Sequence, residues 1–247
     1  MKLVKNSIIY ELPMLTKVSG FDFDFRTDTE DKALQHGGVF TGDGKAEVRT
    51  LELEIGIYAF TTRAEYRNLL DEIKLYASRR GQKFYRDDDR YINIECIKSI
   101  QEEFEDGYHG IKGTLTLDFI CVDPFEYSTA AITGSEIVTE STQEFTVKNP
   151  GTADTPIKFT ITANANNPAI TLVNETDDNR TFGYQDTGFT SGKVVTIDSA
   201  EGIVKRDTTD TINDMGGTFI NLLPGDNVIK YTGAAATIAY ELTPRWL

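Results

Sequence analysis

The chain is poor in the residues that carry most enzyme and metal chemistry. Its 247 residues include two cysteines, two histidines and one tryptophan. Cys96 and Cys121 both sit in apolar-alternating stretches, where free cysteine behaves as a small buried hydrophobe, so no disulfide framework is expected. His36 and His109 each stand beside a glycine in turn-rich sequence. There is no HExxH pair, no GxSxG elbow and no Walker loop. Gly42-Asp43-Gly44-Lys45 superficially resembles a phosphate loop but leads into a strand pattern, not into the helix N-terminus whose free N–H groups would hold a phosphate. Acidic pairs are too common among 39 carboxylates to single one out as a glycosidase pair. The expectation is a protein without catalytic residues, cofactor-binding residues, metal ligands or cofactors, and not an enzyme.

Long apolar runs are also missing. None approaches the roughly 20 residues that a membrane helix needs. The start, MKLVKNSIIYEL, has two lysines but no extended apolar core or small-residue cleavage site, so no export signal is expected. Positive charge is scarce: 25 Lys and Arg face 39 Asp and Glu, a net charge of -14. The deficit is shared equally on either side of residue 127, and the largest basic cluster is Arg79-Arg80. A chain acidic throughout is poorly suited to grip a phosphate backbone or an anionic bilayer. Neither sequence-specific nucleic-acid binding nor membrane binding is expected.

What the chain does have is strand pattern. In Thr114 to Tyr127, TLTLDFICVDPFEY, Leu115, Leu117, Phe119 and Cys121 alternate with Thr116, Asp118, Ile120 and Val122, the period of a half-buried strand. Asp123-Pro124 ends it, since proline has no ladder donor and biases its predecessor away from helix. Composition changes there too. Residues 1–127 hold 17 of the 26 aromatics and 9 threonines, and residues 128–247 hold 22 threonines. The expectation is two domains, 1–127 and 128–247.

In the first, LVKNSIIYEL and VSGFDFDF read as two strands separated by Pro13. Phe21, Phe23 and Phe25 make one apolar face, and Asp22 and Asp24 a solvated one. Arg26 to Lys45 is a long polar loop, a candidate contact arm. RTLELEIGI is a strand, and Thr62 to Arg80 is the one helix. Thr62 and Glu65 form its capping box, and Gly81 is placed for a left-handed end. Tyr66, Leu69, Leu70, Ile73, Tyr76 and Ala77 make its apolar stripe. Arg79 and Arg80 complement the dipole. QKFY and YINIECIKSI follow, joined by an acidic turn at Asp87-Asp88-Asp89 that lacks the glycine and distal glutamate of a calcium loop. After the polar connection Glu102 to Gly107 comes the strand that ends at Pro124.

The second part opens on a spacer, STAAITGSEIVTES. EFTVKN and PIKFTIT follow on either side of a turn at Asn149-Pro150-Gly151, as a hairpin or as two facing sandwich strands. Short strand signals then recur without helices, through a turn at Leu223-Pro224-Gly225-Asp226, and predict a β-sandwich. The fold class is mainly β: an antiparallel N-terminal domain with one helix, then a C-terminal sandwich.

The order of these pieces resembles the distal tail protein of siphophages that infect Gram-positive hosts, the Dit family. The pieces are TRAEYRNLLDEIKLYASRRGQ, YINIECIKSI, LTLDFICVDPFEY, FTVKNPGTADTPIKFTI, and finally NLLPGDNVIKY with the closing TPRWL. The resemblance implies a structural virion protein at the distal end of a phage tail, made in the host bacterial cytoplasm. Its N-terminal domain would form a homo-hexameric ring, and its C-terminal domain would be a peripheral galectin-like sandwich. The implied partners are the tail tube protein, the tape-measure protein and tail-associated, baseplate or receptor-binding proteins. DNA would pass through the ring's lumen, and acidic side chains facing it would keep that DNA from sticking. Edges in VSGFDFDF and RTLELEIGI would invite subunit pairing, and a closed ring would satisfy them. The alternative from another class is a glycan-binding tail adhesin acting through the sandwich. Its aromatic candidates are Tyr184, Phe189, Tyr231 and Trp246, the last also placed to pack as part of the final strand. A cell-wall hydrolase is a third class.

Overall fold

The computed structural model describes residues 1–14, 16–22, 24–31, 38–58, 60, 62–104 and 111–247. It divides into two units, Met1–Glu126 and Tyr127–Leu247.

In the first unit the elements are β1 (Lys2–Lys5), β2 (Ile8–Glu11), β3 (Thr16–Ser19), β4 (Thr29–Asp31), β5 (Gly38–Phe40), β6 (Arg49–Ile57), α1 (Arg63–Ala77), β7 (Gln82–Tyr85), β8 (Arg90–Ile94), β9 (Cys96–Phe104) and β10 (Gly113–Cys121). One antiparallel sheet has the order β3-β6-β10-β9, and β2-β1-β7-β8 are neighbours in another. β6 and β10 pair over nine residues, Arg49 opposite Cys121 and Ile57 opposite Gly113. Their alternation therefore puts Leu51, Leu53, Ile55, Leu115, Leu117 and Phe119 on one face, all fully buried. Each such side chain stabilises the fold by roughly 2 kcal/mol through apolar area removed from water. The capping box of α1 forms as its sequence requires: the Thr62 hydroxyl accepts from the Glu65 N–H, and the Glu65 carboxylate accepts from the Thr62 N–H. Its stripe buries Tyr66, Leu70, Ile73 and Ala77, and Tyr10 of β2 stacks on Tyr76 at 4.4 Å.

Several local expectations change. LVKNSIIYEL is a hairpin: Asn6 and Ser7 take φ of 47° and 67°, the two-residue turn whose twist matches its strands. VSGFDFDF is a strand only to Ser19. Gly20 (φ +87°) passes so close to β6 that a Cβ there would lie 2.1 Å from the Thr50 carbonyl oxygen. Phe25 makes an isolated bridge with Ala46, and Phe23 lies outside the described residues. The helix ends at Ala77 with Ser78 as its cap. Gly81 is left-handed (φ +65°), but its N–H goes to the Glu95 carbonyl, so it turns the chain into β7 rather than closing the helix. YINIECIKSI splits at Glu95 into β8 and β9. Arg26 to Lys45 is not irregular: β4 and β5 pair with each other, and below them Arg26 N–H bonds the Lys45 carbonyl and Glu47 N–H the Asp24 carbonyl. It is a hairpin arm, with residues 32–37 outside the described residues.

The second unit follows β11 (Glu126–Ser128) with β12 (Ile132–Val138), β13 (Thr142–Asn149), β14 (Thr155–Ala163), β15 (Ala169–Asn174), β16 (Arg180–Gln185), β17 (Val194–Asp198), β18 (Ile203–Arg206), β19 (Thr209–Asp210), β20 (Met215–Gly217), β21 (Asn221–Leu222), β22 (Gly225–Thr232), β23 (Ala236–Leu242) and β24 (Arg245–Trp246). One sheet runs β12-β23-β14-β17-β18-β19, with β21 also on β14, and the other β13-β22-β15-β16-β20. β13 and β14 are thus facing sandwich strands, not a hairpin, and the spacer STAAITGSEIVTES contains an edge strand, β12. Val147, Phe159, Ile161, Leu172, Phe182, Ile197, Ile229 and Ile238 fill the space between the sheets.

Buried polar side chains tie the ends of this sandwich. The Asn149 amide donates to the carbonyls of Ala153 (3.0 Å) and Leu222 (3.1 Å), and its oxygen accepts from the Gly151 N–H at 3.0 Å. Asn174 donates to Asn227 Oδ1 at 3.1 Å, and that oxygen also accepts from the Leu223 N–H at 2.9 Å, holding the turn before β22. At this turn Gly225 takes the positive φ, +95°.

Candidate assembly surface

The four-stranded sheet presents two features to its surroundings: open edges and an open face. β6 is paired on both sides, to β3 and to β10. RTLELEIGI is therefore an interior strand and cannot serve as a subunit edge. The edges of this sheet are β3 and the nine-residue β9. All its pairings are antiparallel, so β3 and β9 run in opposite directions. A second copy could place its β3 beside β9 and continue the antiparallel ladder. β9 carries exposed Ile100 and Phe104.

The face away from the core is acidic. Alternation along β6 and β10 sends Glu52, Glu54 and Asp118 there, and the register sets Glu103 opposite Thr114 on the same side. Lys17 lies 3.4 Å from Glu54, Ser19 donates to Glu52 at 3.1 Å and Ser99 donates to Asp118 at 2.5 Å. Four carboxylates share the face with one lysine and a row of hydroxyls.

The other residues picked out by sequence are scattered. Asp22 and Asp24 are exposed. Asp87 caps its own turn, accepting from the Asp89 and Arg90 N–H groups. Asp43 likewise accepts from the Lys45 N–H and pairs with Arg26 at 2.9 Å, so Gly42-Asp43-Gly44 staples the base of the arm. Arg79 stacks on Tyr76, and Arg80 pairs with Glu95 at 2.9 Å. Cys96 and Cys121 are free thiols. His36, His109, Glu105, Asp106 and Gly107 lie outside the described residues. Among the described residues, no group of three or more His, Cys, Asp or Glu is placed to hold a metal ion, and no helix is long and apolar enough to cross a membrane.

The adhesin alternative loses most of its platform. Tyr184, Phe189 and Tyr231 are fully buried, and their polar ends are used inside the sandwich. Tyr231 Oη accepts from Asn167 at 2.6 Å and donates to the Ala234 carbonyl at 2.9 Å. Tyr184 Oη bonds Asp186 at 2.8 Å and Thr211 at 3.1 Å, and burial pushes its hydroxyl up to about 12. Trp246 is partly exposed in β24. Sequence reasoning missed the Asp186–Arg206 ion pair beneath Gly188; a single Gly-x-x pattern in a turn gives no sign of a partner 20 residues away.

Residues 150–246 match the family model of the siphovirus-type tail component, C-terminal domain. Over its full length the chain has the fold of Dit (gp 19.1) of phage SPP1, described as a paradigm of the hub adsorption apparatus in phages that infect Gram-positive hosts. The TM-score is 0.78 at 17% identity, covering 100% of this chain and 99% of that one. The chain thus has a Dit-type fold throughout, and its C-terminal part is similar to the tail component family. A further match, to the baseplate of phage p2 in its activated conformation with Sr, has a TM-score of 0.43 and 7% identity over 97% of this chain and 96% of that one, too distant to carry weight. No curated protein matches the chain.

Proposed function

We propose that this chain is a structural, non-enzymatic virion protein at the distal end of a siphophage tail. It acts as a baseplate hub component that links the tail tube to the tail-tip or host-recognition apparatus. In this reading residues 1–127 assemble into a ring, six copies in all, and residues 128–247 form a peripheral sandwich. The observation that carries it is the four-stranded sheet whose edge strands β3 and β9 run oppositely and have no further strand beside them among the described residues, together with the likeness to Dit over both units. Head-to-tail pairing of β9 with the next copy's β3 closes a ring and leaves no edge to aggregate. The β4–β5 arm gives each copy a further reach toward its neighbour. The acidic face of the same sheet then lines the lumen, where Glu52, Glu54, Glu103 and Asp118 repel passing DNA. The partners are further copies of the chain, the tail tube and tape-measure proteins, and tail-associated, baseplate or receptor-binding proteins.

Electron microscopy of the purified protein, with light scattering across a concentration series, tests this. Rings of about six copies are expected. Successive N–H groups of β9 alternate between β10 and the open edge. Proline at Gln101 and at Glu102, made separately, will therefore strike an outward donor in one case, and that variant should stay folded but lose the ring. A folded protein that stays monomeric at every concentration defeats the proposal.

A further inference from the structure

The topology of the sheet β3-β6-β10-β9 decides the direction in which its register steps when copies join edge to edge. β6 and β9 run parallel, with β10 antiparallel to both between them. The chain passes from β6 to β9 through α1, β7 and β8. That crossover lies on the buried side of the sheet, where Tyr66, Leu70 and Ile73 share one core with Leu53 and Leu117, and such crossovers are right-handed. With α1 toward the viewer and β6 pointing up, β9 therefore lies to the right, and β3 lies to the left and runs down. A closed sheet takes the hand of its tilt from strand twist, so its strands lean to the right when seen from outside. A row of paired residues followed rightward thus descends, and it meets the next copy's β3 further along that strand than where it began.

The step is even, because an odd one would turn core side chains to solvent. Strand spacing and rise make it about two to four residues per copy for tilts of roughly 20–35°. The row of Lys17 runs through Glu54 and Thr116 to Gln101. One step on, the neighbour's Lys17 stands opposite Glu103 or on the diagonal from it, and a lysine spans either distance. Glu103 is exposed and has no ion-pair partner among the described residues. The Lys17 side chain is 76% exposed and touches Glu54 only at 3.4 Å, a solvated pair with room for a second carboxylate. On the core side, the same step sets the neighbour's Val18 against Phe104, which is half exposed.

We propose that Lys17 of one copy pairs with Glu103 of the next, and that this ion pair sets the register of the ring junction. The inference rests on the reading of the chain as a ring whose lumen is lined by the acidic face. Charge complementarity selects a second copy as the occupant of the β9 edge. On that face the side chains flanking the two edges are Ser99, Gln101 and Glu103 on β9 and Lys17 and Ser19 on β3, and the two charges among them are opposite in sign. The pair brings a cation to a junction between faces that otherwise carry Glu52, Glu54 and Asp118. A slipped register leaves Glu103 facing an uncharged edge or the neighbour's carboxylates, so the same pair that attracts the right alignment disfavours the others.

The test uses the full chain, assembled at low salt from a mixture of isotope-labelled and unlabelled copies. A carbodiimide, which joins an amine to a touching carboxylate without a spacer, is applied and the peptides are mapped by mass. Lys17 should be found joined to Glu54 within a copy and to Glu103 in peptides of mixed label. Lys17→Glu should raise the concentration at which rings form roughly tenfold or more, with the melting curve of the dilute monomer little changed. Lys17→Gln should raise it by less, and Glu103→Lys added to Lys17→Glu should recover most of the loss. Lys158→Glu, in the other unit, should have no effect. Rings that form without the mixed-label Lys17–Glu103 link, that ignore Lys17→Glu, or that the charge swap does not recover overturn this inference and leave the ring reading standing. A parent protein that forms no ring at any concentration overturns both.

Discussion

A Cβ on Gly188 would stand 1.9 Å from Arg206 Nη1, the nitrogen that pairs with the Asp186 carboxylate. The absent side chain at 188 makes room for an ion pair that is largely buried. Gly188 does not have a positive φ, so alanine there displaces the guanidinium without straining the backbone. Gly188→Ala should cost about 1–3 kcal/mol in urea unfolding. The same substitution in an Arg206→Leu background should cost far less, which a double-mutant cycle will show.

Burial opposes ionisation of Asp186 and is the largest single influence on it. The Tyr184 hydroxyl, the Gly188 N–H and Arg206 together outweigh burial and hold the carboxyl below its usual value. A depressed folded value means that the stabilisation is present above the unfolded value of about 3.9 and is lost as pH falls through the folded one. Asp186→Asn should therefore cost roughly 2 kcal/mol at neutral pH, and the difference from the parent protein should shrink in strongly acidic solution. A constant difference across the acid limb would contradict this origin.

Burial pushes the Cys121 thiol up to about 11, and its side chain faces the core of the β6–β10 pair. At neutral pH it should resist alkylation by iodoacetamide in the native state and react once the protein is unfolded in urea, as peptide mass mapping will show.

Asn149 joins β13 to the carbonyls of Ala153 and Leu222. Asn149→Ala leaves both acceptors and the Gly151 N–H buried without that amide, and should lower unfolding free energy by roughly 2–4 kcal/mol. Calorimetry should show a fall in melting temperature of the C-terminal unit.

Glu52→Lys with Glu54→Lys reverses the middle of the acidic sheet face. If that face lines a DNA passage, virions carrying the pair should eject their genomes more slowly, and the delay should diminish as salt rises. Ejection at the parental rate would remove the electrostatic role.

Local pattern was readable wherever it depended on near neighbours. The alternation of β10 and β6, the Thr62–Glu65 capping box and the helix stripe through Leu70 and Ile73 are all local. Each rests on a backbone period of two or 3.6 residues and on contacts within one turn. The first hairpin was missed because Asn6-Ser7 lacks the glycine that usually marks two left-handed residues, and the arm because the bonds that close its base, Arg26 to Lys45 and Asp24 to Glu47, join residues about 20 apart.

By itself, then, the sequence determined a mainly β chain with one capped helix, an acidic balance, and which side chains on each strand face inward. Tertiary structure decided which strands have open edges. RTLELEIGI lies between two neighbours, while β2, β3 and β9 end their sheets. It also decided that Tyr184, Phe189 and Tyr231 are core residues and not a sugar platform. The physical reason is the same in each case. Edge, interior and burial are set by pairings between residues far apart in the chain, and a strand's own alternation is identical whether or not a neighbour lies beside it.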